Sequence, residues 1–453
     1  MRPLNLTTLI PILTLLSHPT SSGATTPPSP SPSPSPSPPP PPPPPQCGPA
    51  TPKTPTHPQP TTSLATSLPH PSAWHPWTHQ PYCIPASASP WCVFTHAASP
   101  RAHGVSIVST PDDAPDPRNH ALDAPFFAPE KLLLPRPYAV RDVPGKGKGV
   151  VATRRIAKGR VVLVDWVSVL AAVEYPGDVL RGEVQELLRV AGERLGGERV
   201  VEGLARQGNR RVGGDADGEG EGVEMSEMED VMLTNSFAVT VGGKEYMGLF
   251  ADLARFNHAC KPNAFINFSQ KTLAMTIWSA RNIEVGEEIT ITYSAAGLTS
   301  EERHESLENI WGFKCQCSLC TSEPAALHAS DDRRRGIRTL QDKVIELAQK
   351  GDFHEAVEAS ERLFTLVEQE GLTEQMGGMY EVPARLYYHI GNLEKALEYT
   401  LQARHEIDGY GVPDENGEEK IKMLKGVIAR LEQEIDERGQ GRAERERQGE
   451  DER

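Results

Sequence analysis

Short apolar stretches separated by glycine turns dominate the middle of this chain. β-branched and aromatic residues concentrate in brief runs, which is the pattern of short strands in a compact β fold. The runs that predict strands lie at 104–108, 138–140, 149–152, 161–164, 236–241, 273–278 and 289–293. Gly145, Gly147 and Gly159 mark turns between the early runs. The pattern therefore predicts a mainly β domain over residues 136–294.

The apolar period becomes helical after residue 320. Two similar openings, Gly351-Asp352-Phe353-His354-Glu355-Ala356 and Gly391-Asn392-Leu393-Glu394-Lys395-Ala396, lie forty residues apart, and an amphipathic segment follows each. They resemble tetratricopeptide-like helix pairs, which bury together the faces that neither helix buries alone. Two units are fewer than a free-standing array needs. We therefore expect a helical lobe over 331–436 that packs on the β domain, and a frayed, charged tail over 437–453.

A glycine- and acid-rich insertion is expected near residues 193–230. Apolar positions at helical spacing precede it, from Val184 to Ala191. Eight acidic residues then fall between Asp215 and Asp230, as in a solvated loop.

The first 135 residues divide into three segments. Arg2, a short apolar stretch and small residues predict a secretory signal peptide over 1–24; the alternative is a mildly hydrophobic tail. Residues 25–65 are rich in proline and serine, which predicts a disordered linker containing an extended spacer or an SH3- or WW-type ligand. Residues 66–135 form an aromatic-containing lead-in region.

Composition narrows the classes of partner. A chain of 453 residues exceeds what one core organises. The formal net charge of −15 argues against a surface that grips nucleic acid through phosphates, and it favours a basic protein substrate such as a lysine-rich tail. No later segment is long and apolar enough to span a membrane. We expect a monomer that binds no nucleic acid.

Four of the seven cysteines predict a metal site. Cys315, Cys317 and Cys320 are closely spaced, and Cys260 supplies a fourth sulfur. Four thiolates suit one tetrahedral structural zinc, which would hold the segment 295–322 against Asn257. The alternative is that some are buried free thiols or disulfides. The remaining three, Cys47, Cys83 and Cys92, are odd in number, so in an exported chain one pair could form a disulfide and leave one thiol over.

Three ordered segments resemble the SET-domain protein lysine methyltransferases, most closely the SET-and-MYND subgroup. They are Asn257-His258-Ala259-Cys260-Lys261-Pro262-Asn263, Gly286-Glu287-Glu288-Ile289-Thr290-Ile291-Thr292-Tyr293 and Trp311-Gly312-Phe313-Lys314-Cys315. The resemblance covers about 136–320 and makes 295–322 a zinc-bound post-SET segment. Residues 165–235 lack cysteines and histidines at MYND-finger spacing, so we expect this chain to lack that finger and the partner binding it confers.

The resemblance also implies the roles of individual residues. It places S-adenosylmethionine against Lys146, Gly147, Lys148, Gly149, Asn235, Asn257, His258 and Phe313, with His258 acting chiefly through its backbone. Tyr293 would be the catalytic residue, aligning an unprotonated lysine amine with the methyl group. Phe237 and Trp311 would line the lysine channel. Trp311 departs from the family, which commonly has tyrosine there.

These observations lead to one function and two rivals. The leading hypothesis is a zinc-containing, S-adenosylmethionine-dependent protein-lysine methyltransferase with a helical C-terminal lobe. The rivals are a catalytically silent SET scaffold and a secreted interaction protein that the proline-rich segment tethers. The signal-like segment points to the secretory pathway, whereas the cofactor points to the nucleus or cytoplasm.

Overall fold

The computed structural model of the protein describes residues 74–97, 104–115, 135–196, 201, 204, 211–212, 223–373, 378–410 and 415–451. The predicted signal peptide and proline-rich linker, together with Cys47, lie outside the described residues. Residues 213–222 of the predicted acidic insertion lie outside them as well.

The region before residue 294 is built mainly of short strands, as the sequence predicts. They are β1 (Tyr82–Ile84), β2 (Trp91–His96), β3 (Val105–Ser109), β4 (Tyr138–Val143), β5 (Gly147–Ala152), β6 (Val161–Trp166), β7 (Val169–Ala172), β8 (Arg211–Val212), β9 (Val223–Glu224), β10 (Ser236–Val241), β11 (Lys244–Leu249), β12 (Ala264–Ser269), β13 (Ala274–Ser279) and β14 (Glu288–Ile289). They form one sheet in the order β1-β2-β3-β7-β11-β10, the sheets β12-β13-β6 and β14-β5-β4, and the pair β8-β9. Strand β3 runs parallel to β7, and the other paired neighbours are antiparallel.

Local sequence explains the tight turn between strands β10 and β11. Strands β10 and β11 are joined by Gly242-Gly243, and both glycines have positive φ, 58° and 79°. A two-residue hairpin turn needs such angles, and glycine adopts them without the steric cost of a Cβ atom.

The lead-in region shares a sheet with the rest of the β region. Strands β1 to β3 join β7, β11 and β10, and helix α1 (Arg181–Glu193) packs with this sheet through Leu187 and Leu188, which are 0% and 3% exposed. A disulfide joins Cys83 on β1 to Cys92 on β2, where the two residues face each other in register. The sequence left open which two of Cys47, Cys83 and Cys92 could pair, and the structure joins Cys83 to Cys92.

Helices dominate after residue 300. In addition to α1 they are α2 (Glu227–Asn235), α3 (Ser300–Trp311), α4 (Pro324–Lys350), α5 (Phe353–Glu370), α6 (Glu381–His389), α7 (Leu393–Tyr410) and α8 (Glu415–Asp451). Gly351 and Gly391, with φ of 84° and 77°, follow α4 and α6 in the left-handed conformation that commonly ends helices. The two similar openings are therefore helix-to-helix turns, and the predicted helical region is present. No helix among the described residues combines the length and apolar character that a membrane crossing requires.

Two local expectations are corrected. The strand expected at 289–293 ends at Ile289, because the Thr290 backbone N–H donates to Asn263 Oδ1 (2.8 Å) and the Tyr293 N–H donates to His258 Nδ1 (3.0 Å) rather than to a neighbouring strand. The tail expected to fray is helical as far as Asp451. Its arginines, glutamines and glutamates are good helix formers, and pairs such as Gln433 and Glu437 (2.7 Å) link successive turns.

Helix α3, which the sequence analysis did not predict, lies inside the segment 295–322. Thr299 and Glu302 form a capping box at its start, with the Thr299 N–H donating to Glu302 Oε2 (2.7 Å). That hydrogen bond is the main reason why the pKa of Glu302 falls to about 2. Gly312, with φ of 72°, ends the helix. The Thr-x-x-Glu spacing is the sequence signal that would have predicted this helix.

Candidate functional site

Two segments of the β region meet beside the predicted catalytic residue. The Ile291 N–H donates to the Asn257 carbonyl (3.0 Å), and the Ala259 N–H donates to the Ile291 carbonyl (2.9 Å). Phe256, Ile289 and Ile291 are 1%, 0% and 0% exposed, so both segments are anchored in the core by their apolar residues. This pairing brings the first two family-like motifs together.

Tyr293 is half-buried at this junction. Its hydroxyl donates to the Phe256 carbonyl (2.7 Å), and its ring centroid lies 5.1 Å from that of Trp311. Burial, reinforced by the negative charge of Glu288, raises the pKa of Tyr293 well above its usual value. The phenol therefore stays protonated at neutral pH.

His258 connects Tyr293 to the cysteine cluster. Its Nδ1 accepts the Tyr293 backbone N–H (3.0 Å), so the ring proton belongs on Nε2, which lies 3.3 Å from Cys260 Sγ. The ring is 3% exposed and its centroid is 5.4 Å from that of Tyr293. Both ring nitrogens thus have partners within the protein, which leaves only the backbone of His258 for the predicted cofactor contact.

The predicted glycine loop packs directly against the Asn257 side chain. Asn257 Nδ2 donates to the Lys148 carbonyl (3.1 Å) and to Glu288 Oε1 (2.8 Å). A Cβ atom on Gly149 would lie 2.7 Å from Asn257 Nδ2 and 2.9 Å from Glu288 Oε1. Gly147, in contrast, has φ of 70° and open space around it. The glycines therefore allow both a close approach and an accessible backbone.

The two lysines of this loop have different partners. Lys146 Nζ lies 2.7 Å from Glu288 Oε2, whereas Lys148 Nζ lies 2.8 Å from Asp142 Oδ1 in a more exposed pair. Sequence reasoning did not select Glu288. Its position on β14, directly opposite Val151 of the loop strand β5, brings it to the site. The adjacent acids of Gly286-Glu287-Glu288 were visible in the sequence, but the pairing with β5 was not.

The remaining predicted site residues, three aromatics and Asn235, divide into two groups. Trp311 Nε1 donates to the Thr234 carbonyl (3.1 Å), and the Phe313 ring centroid lies 6.4 Å from that of His258, so both reach the junction. Asn235, which is 6% exposed, donates from Nδ2 to the Val231 carbonyl (2.9 Å). Phe237 packs edge-on against Phe250 at 6.1 Å. These contacts fix Asn235 and Phe237 within the helix-to-strand corner from α2 to β10.

The four predicted metal ligands come together. The sulfurs of Cys260, Cys315, Cys317 and Cys320 all lie within 4.8 Å of one another. Cys260 Sγ is 3.9 Å from Cys315 Sγ and 3.5 Å from Cys320 Sγ. A tetrahedral ion with metal–sulfur bonds of about 2.3 Å separates its sulfurs by about 3.8 Å. The four thiols can therefore hold one metal ion.

A buried arginine supports a charged state of this cluster. Arg303 is 0% exposed, its Nε donates to Cys260 Sγ (3.2 Å), and its Nη1 lies 3.8 Å from Asp331 Oδ1. An ionised group in the interior requires compensating charge and hydrogen bonds. A metal-bound thiolate at Cys260 would provide both, so the donor set and its surroundings fit an anionic metal–thiolate site.

A second buried arginine joins Cys260 to the helical region. Arg334 Nη2 donates to the Cys260 carbonyl (2.7 Å), Nη1 to the Ala296 carbonyl (3.0 Å) and Nε to Glu370 Oε1 (3.0 Å). Glu370 is 0% exposed and also accepts from Ser330 Oγ (2.5 Å). Burial alone would raise the pKa of Glu370, but the hydrogen bond from Ser330 and the charge of Arg334 outweigh it and lower that pKa.

Comparisons with known proteins identify the β region. The family model described as SET domain matches residues 147–294. The histone-lysine N-methyltransferase set5 of Schizosaccharomyces pombe is 36% identical over 88 residues, covering 19% of this chain and 28% of that protein. The histone-lysine N-methyltransferase SMYD3 of Homo sapiens is 35% identical over 94 residues, covering 20% and 22%. The N-lysine methyltransferase SMYD2 of Gallus gallus is 30% identical over 110 residues, covering 24% of each.

These matches are partial, since the chain spans only about a quarter of the length of the curated relatives. A solved Plasmodium falciparum structure overlaps 36% of this chain and 96% of its own at 14% identity, with a TM-score of 0.20 that supports no comparison. The SET model nevertheless begins at Gly147 and ends just after Tyr293, so it encloses the loop, the Asn257 motif and the tyrosine described above. Residues 147–294 therefore match the SET-domain family, and the relatives that match this chain in part are named as lysine methyltransferases.

Proposed function

We propose that this protein transfers a methyl group from S-adenosylmethionine to the side chain of a protein lysine. The observation that carries the proposal is the position of Tyr293. Its protonated hydroxyl is fixed on the Phe256 carbonyl at 2.7 Å, next to Trp311 and one residue away from the Asn257 motif. The family assignment supplies the reaction class, and this geometry supplies a group suited to it.

The residues around the glycine loop fit the proposed cofactor. Gly147 leaves its backbone open, and Glu288 lies within hydrogen-bonding distance of both the Lys146 ammonium and the Asn257 amide. When bound, S-adenosylmethionine supplies an electrophilic methyl group on a sulfonium. The loop, Asn257 and the neighbouring Phe313 would hold it.

The chain's own contribution to methyl transfer is orientation and desolvation. A free lysine has a pKa of about 10.4 and is mostly protonated at neutral pH. Burial beside Tyr293 and Trp311 disfavours the charged ammonium and so lowers the pKa of that lysine. The Tyr293 oxygen can accept a hydrogen bond from the amine while its own O–H donates to the Phe256 carbonyl, which aligns the nitrogen lone pair.

We further propose that the four cysteines bind zinc in a structural role. All four ligand positions are filled by sulfur, and closed four-cysteine sites favour zinc and leave no position for substrate. The ion would hold residues 315–320, and with them Phe313 and Trp311, against the Asn257–Cys260 turn.

The substrate would be a protein that presents a lysine in a basic context, since the chain has a formal net charge of −15. Two of the matched relatives are named histone-lysine methyltransferases, which makes a histone tail the first substrate to assay.

Two measurements on the full chain test the function. Calorimetry should detect S-adenosylmethionine binding to zinc-loaded protein. Incubation with labelled cofactor and histone tails, followed by mass spectrometry, should locate a methylated lysine. Protein that is folded and loaded with zinc but has no affinity for S-adenosylmethionine would contradict the proposal and favour the catalytically silent scaffold.

A further inference from the structure

The ion pair between Lys146 and Glu288 is the most informative contact of the site that the proposed mechanism leaves unused. Lys146 Nζ lies 2.7 Å from Glu288 Oε2, and the two side chains are 29% and 18% exposed. Asn257 holds the other oxygen, Oε1, at 2.8 Å. The carboxylate is thus fixed on one side by a neutral amide and on the other by a charge that water can reach.

The charges of this pair match those of the proposed cofactor. The methionyl end of S-adenosylmethionine carries an ammonium and a carboxylate on one carbon atom. Glu288 offers an acceptor for the first and Lys146 a donor for the second. Lys148 is less suited to this role, because it pairs with Asp142 and its side chain is 55% exposed.

We propose that the cofactor's amino-acid group exchanges with the Lys146–Glu288 ion pair, so that Glu288 accepts the cofactor ammonium and Lys146 binds the cofactor carboxylate. This inference rests on the proposed function and adds Glu288 to the cofactor site. The exchange is feasible because partly solvated ion pairs contribute little to stability. Asn257 keeps Glu288 in place while its second oxygen changes partner.

The exchange also confers specificity. A ligand without the amino-acid group must bind beside an intact Lys146–Glu288 pair and gains nothing from either charge. A ligand with only the ammonium competes with Lys146 for Glu288 and leaves Lys146 without a partner. The site therefore selects ligands that carry both charges.

Four ligands separate these contributions: S-adenosylmethionine, its decarboxylated form, S-adenosylhomocysteine and 5′-methylthioadenosine. Calorimetry on full-length, zinc-loaded protein would compare the parent with Glu288→Gln, which keeps the acceptor for Asn257 but removes the charge. We expect Glu288→Gln to weaken decarboxylated S-adenosylmethionine about tenfold, the order of one charged hydrogen bond. S-adenosylmethionine should lose less, because the released Lys146 still meets its carboxylate, and 5′-methylthioadenosine should be unaffected.

Lys146→Met should change the affinities for two of these ligands in opposite directions. S-adenosylhomocysteine should bind more weakly, because its carboxylate loses a partner. Decarboxylated S-adenosylmethionine should bind more tightly than to the parent, because it no longer competes with Lys146 for Glu288. The matched control is Glu284→Gln, which removes an acid from a solvated pair with Arg155 in the same region and should change none of the affinities.

Two results would overturn the inference alone: unchanged affinity of Glu288→Gln for decarboxylated S-adenosylmethionine, or an equal loss for 5′-methylthioadenosine, which would indicate a merely structural role. Failure of the parent to bind either S-adenosylmethionine or S-adenosylhomocysteine would instead remove the proposed function itself.

Discussion

Two charged clusters flank the turn from Asn257 to Cys260, and they differ in how far water reaches them. On the side of the glycine loop, the side chains of Lys146 and Glu288 are 29% and 18% exposed. On the side of the helices, those of Arg334 and Glu370 are 2% and 0% exposed. The first pair can change partners at low cost, whereas removing the Glu370 carboxylate would leave the buried Arg334 guanidinium without an acidic partner.

This difference assigns separate tasks to the two sides. The buried side connects α4 and α5 to the carbonyl of Cys260, and Arg303 adds a contact to its sulfur. Helices α3, α4 and α5 therefore help to hold the Asn257–Cys260 turn in place. The solvated side carries the residues proposed to meet cofactor and substrate. Changes on the buried side should lower stability, and changes on the solvated side should lower binding or turnover in a folded protein.

The largest effect is expected from Cys317→Ser. Removing one of four sulfurs should abolish stoichiometric zinc and cost several kcal/mol of unfolding free energy, because structural zinc in small peptides binds with about 10–16 kcal/mol. Elemental analysis and denaturant unfolding would measure both. Ser318→Ala, in the same segment and exposed, is the matched control. One zinc per chain in the serine variant would refute the ligand assignment.

Arg334→Met should be the next most damaging change. It takes one charged partner from Glu370, which keeps Arg333 and Lys261, and it leaves the Cys260 and Ala296 carbonyls without their donor. An unsatisfied buried polar group costs about 1–3 kcal/mol, so we expect a loss of about 2–4 kcal/mol. Arg335→Met removes an exposed pair with Asp332 and should cost no more than about 1 kcal/mol. Equal unfolding free energies for the two variants would show that burial does not distinguish the clusters.

Tyr293→Phe tests the solvated side. Loss of the hydroxyl should lower the methyl-transfer rate at least about a hundredfold, since misplacement of reacting groups has effects of this size. The affinity for S-adenosylmethionine should stay within a few-fold, and the unfolding free energy should fall by only about 1 kcal/mol for one hydrogen bond. Undiminished transfer would mean that another residue aligns the lysine.

The smallest effect concerns pH. The pKa of Glu302 is lowered to about 2 by its hydrogen bond at the start of α3, so folding favours the ionised form. The resulting stability is present above about pH 4.3, the usual pKa of glutamate, and is lost as pH falls towards 2. Because the side chain is 39% exposed, we expect less than about 1 kcal/mol.

Acid unfolding of Glu302→Gln would measure this contribution. The variant should lose stability at neutral pH and converge with the parent near pH 2, whereas Glu301→Gln, outside the capping box, should follow the parent throughout. A constant difference between parent and Glu302→Gln at all pH values would mean that packing, and not charge, explains the cap.

Much of the fold could be predicted because its signals are local. Short β-branched runs predicted seven of the fourteen described strands, and Gly351 and Gly391 predicted the turns of the helical region. The strand at 289–293 was predicted too long because Asn263 and His258, both distant in sequence, take its backbone N–H groups. Helix α3 was missed although its capping-box spacing was visible.

The sequence by itself determined the chemistry that depends on residue type and spacing: the four cysteines that converge, the glycines that let Asn257 approach the loop, and the tyrosine at the end of its motif. Only the tertiary structure decided which charges meet. Glu288 reaches Lys146 across the β5–β14 pair, and Arg334 reaches Cys260 from a helix more than seventy residues away. Whether an ion pair is exchangeable or rigid depends on the water around it, and burial is a property of the assembled fold.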